Sequence, residues 1–276
     1  MPMTARALPQ DESFPFPGRI VKTGDSGDVV EQIQHRLNEV GCGPIPEDGN
    51  FDKDKTERAV KLFQSRFPDV TGSPLKIDGQ VGSVTWGALF GAETVPSNTD
   101  APTALTKAVI EFARTQIGVR EKPLGSNRGP EVDRYIQSVG LNPAGNPPGG
   151  FFWCVAFTFF CYQTAAKKLG IDNPHIKTAG VLEHWQKAGT KPDVVRIPKA
   201  KAVANPGLVK PGSLFIIDHG GGLGHSGLVT EVANGRLKTV EGNTNDNGSN
   251  NGIGVFERDK RKIVDINKGF IDYSAF

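Results

Sequence analysis

The sequence predicts two domains of different class: a small all-α domain of three helices, then an α+β domain in which helices precede an antiparallel sheet. Three observations carry this. Apolar residues recur at helical spacing through residues 18–91. A stretch of linker composition, Glu93-Thr94-Val95-Pro96-Ser97-Asn98-Thr99-Asp100-Ala101-Pro102, separates that segment from the rest of the chain. After Pro211 the apolar pattern turns from helical to alternating or continuous, as strands require. At 276 residues the chain is long enough for both domains.

Residues 1–17 are polar and proline-rich and read as a mobile lead-in. In the first domain, residues 18–91, the first helix carries Val29, Val30, Ile33, Leu37 and Val40, with Asp25 or Ser26 as its N-cap. A second helix over 56–64 buries Ala59, Val60 and Phe63, and a short third holds Thr85, Trp86 and Leu89. Asp48-Gly49-Asn50-Phe51 and Asp78-Gly79-Gln80-Val81 precede the last two helices. Each is an Asp-Gly turn, an apolar anchor and then a helix-starting Thr, so one supersecondary unit is repeated.

Residues 92–102 form the linker, and residues 103–276 the second domain. Its helices are expected over 104–118, 131–139, 154–169 and 179–188. Its strands are expected over 213–218, 226–233, 237–240, 252–257 and 270–273, with the charged run Arg258-Asp259-Lys260-Arg261-Lys262 as a hairpin turn.

Composition narrows the function classes. Hydrophobic residues make up 37% and charged residues 22% of the chain, as in a globular domain protein. No apolar run approaches the ~20 residues of a membrane span, so no membrane insertion is expected. The N-terminus has no hydrophobic core, so no secretory signal is expected; a protein acting outside the cytoplasm would be carried there by other machinery. Residues 18–91 hold nine Lys and Arg against eleven Asp and Glu, and residues 103–276 hold 22 against 15. The basic excess is scattered and its one cluster lacks interleaved aromatics, so nucleic acid is not an expected partner. The three cysteines make no disulfide framework. Cys154 and Cys161 lie about 10 Å apart along one helix, too far for a bridge. Cys161 reads as a buried apolar residue and Cys42 as a packed loop residue.

Chemistry concentrates in three places. Gly149-Gly150-Phe151-Phe152-Trp153-Cys154 is a glycine-rich loop running into a helix, which sets Cys154 in the first turn, where backbone amides favour a thiolate and can receive an oxyanion. Gly224-His225-Ser226-Gly227 opens a strand after the glycine-rich Asp218–Gly224 segment; His219 is the competing base, ranked lower because it falls in the loop. His35, His175 and His184 fit surface or helix packing. Val240-Glu241-Gly242-Asn243 closes the next strand, and Glu241 or Asn243 could accept from the far nitrogen of His225. Thiol, imidazole and carboxylate in this order are what a papain-like cysteine hydrolase needs. Trp153 is either a wall of the cleft or core. No residue pair has zinc-protease spacing.

These residues carry two resemblances. Gly24-Asp25-Ser26-Gly27-Asp28-Val29-Val30, Ile33-Gln34, the Asp-Gly-Asn-Phe turn, Ala59-Val60, Phe63-Gln64, Asp78-Gly79 and Thr85-Trp86 resemble the peptidoglycan-binding domain of bacterial wall hydrolases, which implies a three-helix bundle and adhesion to cell wall. Trp153-Cys154, Gly224-His225-Ser226-Gly227 and Glu241-Gly242-Asn243-Thr244-Asn245 resemble the cysteine, histidine-dependent amidohydrolase/peptidase (CHAP) family. Carried across, Cys154 matches the nucleophile, His225 the base, Glu241 the orienting acid and Asn243 an auxiliary polar residue. Gly118-Val119-Arg120-Glu121 and Ser126-Asn127-Arg128-Gly129 also look like a branch of this family; Glu121 and Asn127 would line the substrate groove or brace a loop. Some members carry a calcium loop before the cysteine. Residues 142–153 hold no acid, so no calcium and no other cofactor is expected.

The expectation is therefore a monomeric two-domain peptidoglycan hydrolase cutting an amide bond in the peptide part of the wall. A phage endolysin released through a membrane pore and an effector delivered by a secretion system both fit. A non-catalytic wall-binding protein and an amide transferase using the same site are the alternatives.

Overall fold

The computed structural model describes residues 14–145, 150–245 and 252–276. The chain forms two compact units: one holds the chain up to Pro96 with Val203–Pro206, the other Ser97–Ala202 and Gly207–Phe276.

The first unit contains α1 (Asp28–Glu39), α2 (Thr56–Arg66) and α3 (Ser83–Phe90). Their apolar stripes meet in one core of Val30, Ile33, Leu37, Val60, Phe63, Trp86 and Leu89, all removed from solvent. The repeat seen in the sequence is pinned twice by the same device. Gln34 donates from Nε2 to Asp48 Oδ1, Asn50 O and Thr56 Oγ1 at 3.0–3.1 Å, and its Oε1 accepts from the Gly49 amide. Thirty residues on, Gln64 donates to Asp78 Oδ1, Gln80 O and Thr85 Oγ1, and accepts from the Gly79 amide at 2.9 Å. Both glycines are left-handed, at φ 68° and 73°, which is why the turn needs Gly. Residues 14–17 were expected in the mobile lead-in, but Phe14 and Phe16 are packed. They lie edge-on against Phe90 and Trp86, and Phe14 O accepts from Trp86 Nε1, because their rings complete the apolar face of α3. Residues 1–13 lie outside the described residues.

The second unit opens with α4 (Ala104–Thr115), started by a capping box between Thr103 and Thr106. Then come α5 (Pro130–Ser138), α6 (Cys154–Leu169) and α7 (Val181–Ala188). Six strands form one antiparallel sheet: β1 (Val195–Pro198), β2 (Leu214–Gly220), β3 (Leu223–Ala233), β4 (Arg236–Thr244), β5 (Gly254–Lys262) and β6 (Gly269–Asp272), in the order β1-β6-β2-β3-β4-β5. α6 is apolar around most of its surface and is the spine of the unit. Phe157, Cys161 and Tyr162 pack with Leu214, Ile216, Leu228, Val240 and Ile271 of the sheet. Gly242 allows β4 to approach it, since a Cβ there would lie 2.6 Å from Phe157 Cβ.

Several boundaries differ from expectation, each for a local reason. β1 and the six-residue α8 (Lys199–Ala204) were not expected, being short and mostly exposed, with no apolar period to announce them. Residues 258–262 are strand and not a hairpin turn, because β5 is the sheet's outer strand and can carry charges on its open side. His219 lies within β2, not in the loop, because the hairpin turns only at the glycines after it. In the expected linker, Asn98 pairs with Val232 of β3 through two backbone hydrogen bonds, so its end belongs to the second unit. His35 is exposed, but His175 and His184 are buried, with ring centroids 4.4 Å apart, and His184 Nε2 lies 2.6 Å from Tyr273 Oη.

Candidate active site

Cys154 is the first residue of α6. Trp153 occupies the N-cap position, and no side chain caps the helix there. The approach to that terminus is set by close packing. Gly150, at φ 78°, lies so near the preceding loop that a Cβ would stand 2.4 Å from Asn127 Cβ and 2.7 Å from Ser126 O. Residues 146–149, which include the first glycine of the loop before Cys154 and part of the segment expected to hold no calcium, lie outside the described residues.

Glu121 ties that loop to the helix start. Its backbone amide donates to Ile253 O at 2.9 Å, where residues 118–121 pair along the free edge of β5. Its carboxylate accepts from Trp153 Nε1 at 2.9 Å and from the Asn127 amide at 3.0 Å. Trp153 was open between cleft wall and core, and Glu121 and Asn127 between groove lining and loop brace. They are 0%, 1% and 6% exposed, and the bonds made by Glu121 brace the loop against the start of α6. Asn127 is left-handed at φ 52°, held so by its amide bond to Glu121.

β3 carries His225 at the hairpin end, packed against the Phe215 ring at 5.6 Å between centroids. Its Nε2 lies 2.9 Å from Glu241 Oε2, and Cys154 is its other side-chain hydrogen-bond partner. With Nε2 committed to the carboxylate, Nδ1 is the ring atom left for the thiol. Gly227, two residues on, leaves room for Glu241: a Cβ there would stand 2.7 Å from Glu241 Cγ. All three side chains are nearly or fully removed from solvent, Cys154 at 2% and Glu241 at 0% exposure.

Glu241 is held from four sides. Thr239 Oγ1 donates to Oε1 at 2.6 Å, Arg261 Nε to Oε1 at 2.5 Å, Arg261 Nη2 to Oε2 at 2.7 Å, and His225 to Oε2. Burial pushes this carboxyl's pKa up. The Arg261 fork and the imidazole outweigh that and hold it far below the usual carboxylate range. For His225, burial works against the charged ring, but hydrogen bonds to Cys154 and Glu241 and the charges on both outweigh it, and the pKa is raised to about 9. The ring is therefore an imidazolium at neutral pH.

Asn243 does not share the role open to it. β4 bulges between Glu241 and Thr244, Asn243 adopts φ 54°, and the strand alternation that would have put it on the Glu241 face is broken. It is buried, and its Oδ1 has no partner among the described residues. Arg258, at the same strand end, donates to Thr244 Oγ1 at 3.0 Å. His219 is exposed near the hairpin tip. The residue missed in the sequence is Arg261. It sits in a run of charges that reads as surface, and only the register of β5 on β4 reveals where it points. Among the described residues, no three His, Cys, Asp or Glu stand together in a way that would hold a metal ion.

Comparison with known proteins adds two matches within the chain. Residues 26–89 match the model of a peptidoglycan binding domain, and residues 146–243 match the model of the CHAP domain. Among solved structures, the chain is similar to the endolysin of Burkholderia phage AP3 at 20% identity, covering 62% of this chain and 71% of that one, with a TM-score of 0.28. No curated protein matches the chain.

Proposed function

We propose that this chain, a peptidoglycan binding domain followed by a CHAP domain, is a cell-wall hydrolase that uses Cys154 to cut an amide bond in the peptide part of peptidoglycan. The observation that carries the proposal is the buried series Cys154–His225–Glu241, with the thiol at a helix N-terminus and the imidazole kept charged.

The chemistry stems from that charge state. A protonated His225 beside Cys154 stabilises a thiolate, the nucleophilic form. The thiolate attacks the amide carbonyl carbon, and the carbonyl oxygen takes the negative charge, facing the first-turn amides of α6. As the carbon–nitrogen bond breaks, His225 gives its proton to the leaving amine and a thioester remains on Cys154. Water then attacks the thioester, losing a proton to the neutral ring, and the carboxylic acid leaves as the thiolate–imidazolium pair is restored. Glu241 keeps Nε2 occupied and the ring oriented throughout. The N-terminal domain holds the enzyme on its insoluble substrate, which raises the concentration of scissile bonds around Cys154. The place of action is the wall, reached by release or delivery from the cytoplasm.

The test is Cys154→Ala. Lysis of wall suspensions falls to background while sedimentation with purified wall is unchanged. Equal lysis by the variant would sink the mechanism.

A further inference from the structure

Arg261 is a charged residue at this site that the proposed chemistry does not use, and its surroundings are built for it. The guanidinium meets both oxygens of Glu241, at 2.5 and 2.7 Å, and lies over the Phe215 ring with its Cζ 4.6 Å from the centroid. Phe215 is the ring that packs against His225. The same aromatic plate thus backs the imidazole and carries the arginine. Register places Arg261 there: it pairs with Leu237, which lies on the same face of β4 as Thr239 and Glu241, and its long side chain reaches Glu241 from that level.

We propose that Arg261 is a positioning residue of this site: it keeps Glu241 ionised and its two oxygens fixed, so that the proton of the Cys154–His225–Glu241 series stays on the imidazole.

A carboxylate wholly out of water is unstable as an anion unless paired and hydrogen-bonded. The charged groups that meet Glu241 are Arg261 from β5 and His225 from β3, with Cys154 of α6 beyond His225; its own strand adds only the Thr239 hydroxyl. Without Arg261, one cation would face two acidic groups. The pair's proton would then be shared toward Glu241, and a second proton would bind as the pH falls. A neutral Glu241 no longer holds an imidazolium, and the thiolate loses its counter-ion. Arg261 touches no reacting atom, so it acts through Glu241. A planar fork fits this task better than a lysine point charge.

The inference rests on Cys154 being the nucleophile, so its test reads the thiol directly and needs no substrate. In the full-length protein, the rate of alkylation of Cys154 by iodoacetamide is followed against pH by mass spectrometry of its peptide, for wild type, Arg261→Met and Arg261→Lys. The acid limb of the profile should move up by about one pH unit or more in Arg261→Met. With soluble wall fragments, kcat should fall by about tenfold while KM stays within about twofold. Arg261→Lys, which keeps the charge but not the fork, should restore the acid limb and only part of kcat. An unshifted limb with unchanged kcat in folded Arg261→Met overturns the proposal. If Arg261→Met does not fold, Arg261→Lys decides: a kcat equal to wild type overturns the fork. A wild-type Cys154 with the profile of an ordinary thiol would remove the nucleophile and this inference with it. A shifted limb without wall cleavage supports Arg261 and removes only the substrate.

Discussion

The two units each bury a polar network, and the networks differ in kind. In the N-terminal unit, Gln34 and Gln64 clamp two Asp-Gly turns with neutral amides, and the arrangement is repeated almost bond for bond. In the C-terminal unit, Glu241 gathers Arg261, His225 and, through it, Cys154, and the arrangement occurs once. The clamping amides themselves take up no proton near neutral pH; they hold turns. A buried series of charges whose protonation states depend on one another holds a reactive state. Burial and hydrogen bonding alone would not have told scaffold from site. Net charge and titration do.

Glu241→Gln should show the largest effect that separates the two networks. It removes one of the two charges that raise the His225 pKa, so the alkaline limb of kcat/KM, expected near pH 9 in the wild type, moves to lower pH. We expect kcat to fall on the order of 1,000-fold. An alkaline limb that stays in place would break the link between carboxylate and imidazole. The thermal stability of the N-terminal unit should not respond.

Acid should separate the units next. His175 and His184 are enclosed by Tyr162, Tyr273, Phe159 and one another. Burial pushes His175 down to about 3 and His184 well below its ordinary value. Both are therefore neutral when folded and protonate near 6.5 when unfolded. Stability is full above pH 6.5 and is lost as pH falls toward 3. At pH 5 His175 costs about 2 kcal/mol, and His184 acts in the same direction. In the N-terminal unit, Asn50's amide holds the Asp48 carboxyl low and Lys61 holds that of Glu57 low, so its stability is present above pH 4 and lost below. Hydrogen exchange at pH 5 against pH 7, scaled for intrinsic rates, should show α6 and β6 opening more readily while α1 and α2 do not. Equal responses in both units would contradict the contrast.

Gln34→Ala and Gln64→Ala ask whether the repeat is energetic as well as geometric. Each removes one clamp and should destabilise the N-terminal unit by about 2 kcal/mol, with the two values close together. Cys154 alkylation should be unaffected. Widely different losses would mean that one clamp is ornamental.

Trp153→Phe should have the smallest effect. It keeps an aromatic ring but deletes the donor to Glu121 and part of a buried indole, which costs about 1–2 kcal/mol and lowers kcat a few-fold through the loosened start of α6. A loss as large as that of Glu241→Gln would put Trp153 in contact with substrate after all.

Much of this was legible in the sequence because glycines and helix starts are punctuation. The glycines before Cys154 marked the start of α6, the two Asp-Gly turns marked the repeat, and apolar alternation marked β2 to β4. What stayed hidden depends on register. Arg258–Lys262 has no apolar alternation, so its strand was invisible, and with it the arginine that neutralises Glu241. Glu241 and Asn243 looked equivalent at a spacing of two, and a bulge separated them. Trp153 read equally as cleft wall or core, and only the structure shows its indole donating to a buried carboxylate.

The most direct test of the central claim is mass spectrometry of the soluble products released from purified peptidoglycan by the wild type beside Cys154→Ala. The account predicts fragments from the wild type alone, each with a newly freed amine or carboxyl at one amide position, whose masses name the bond. Absence of fragments from several wall types, or the same fragments from both proteins, would contradict it.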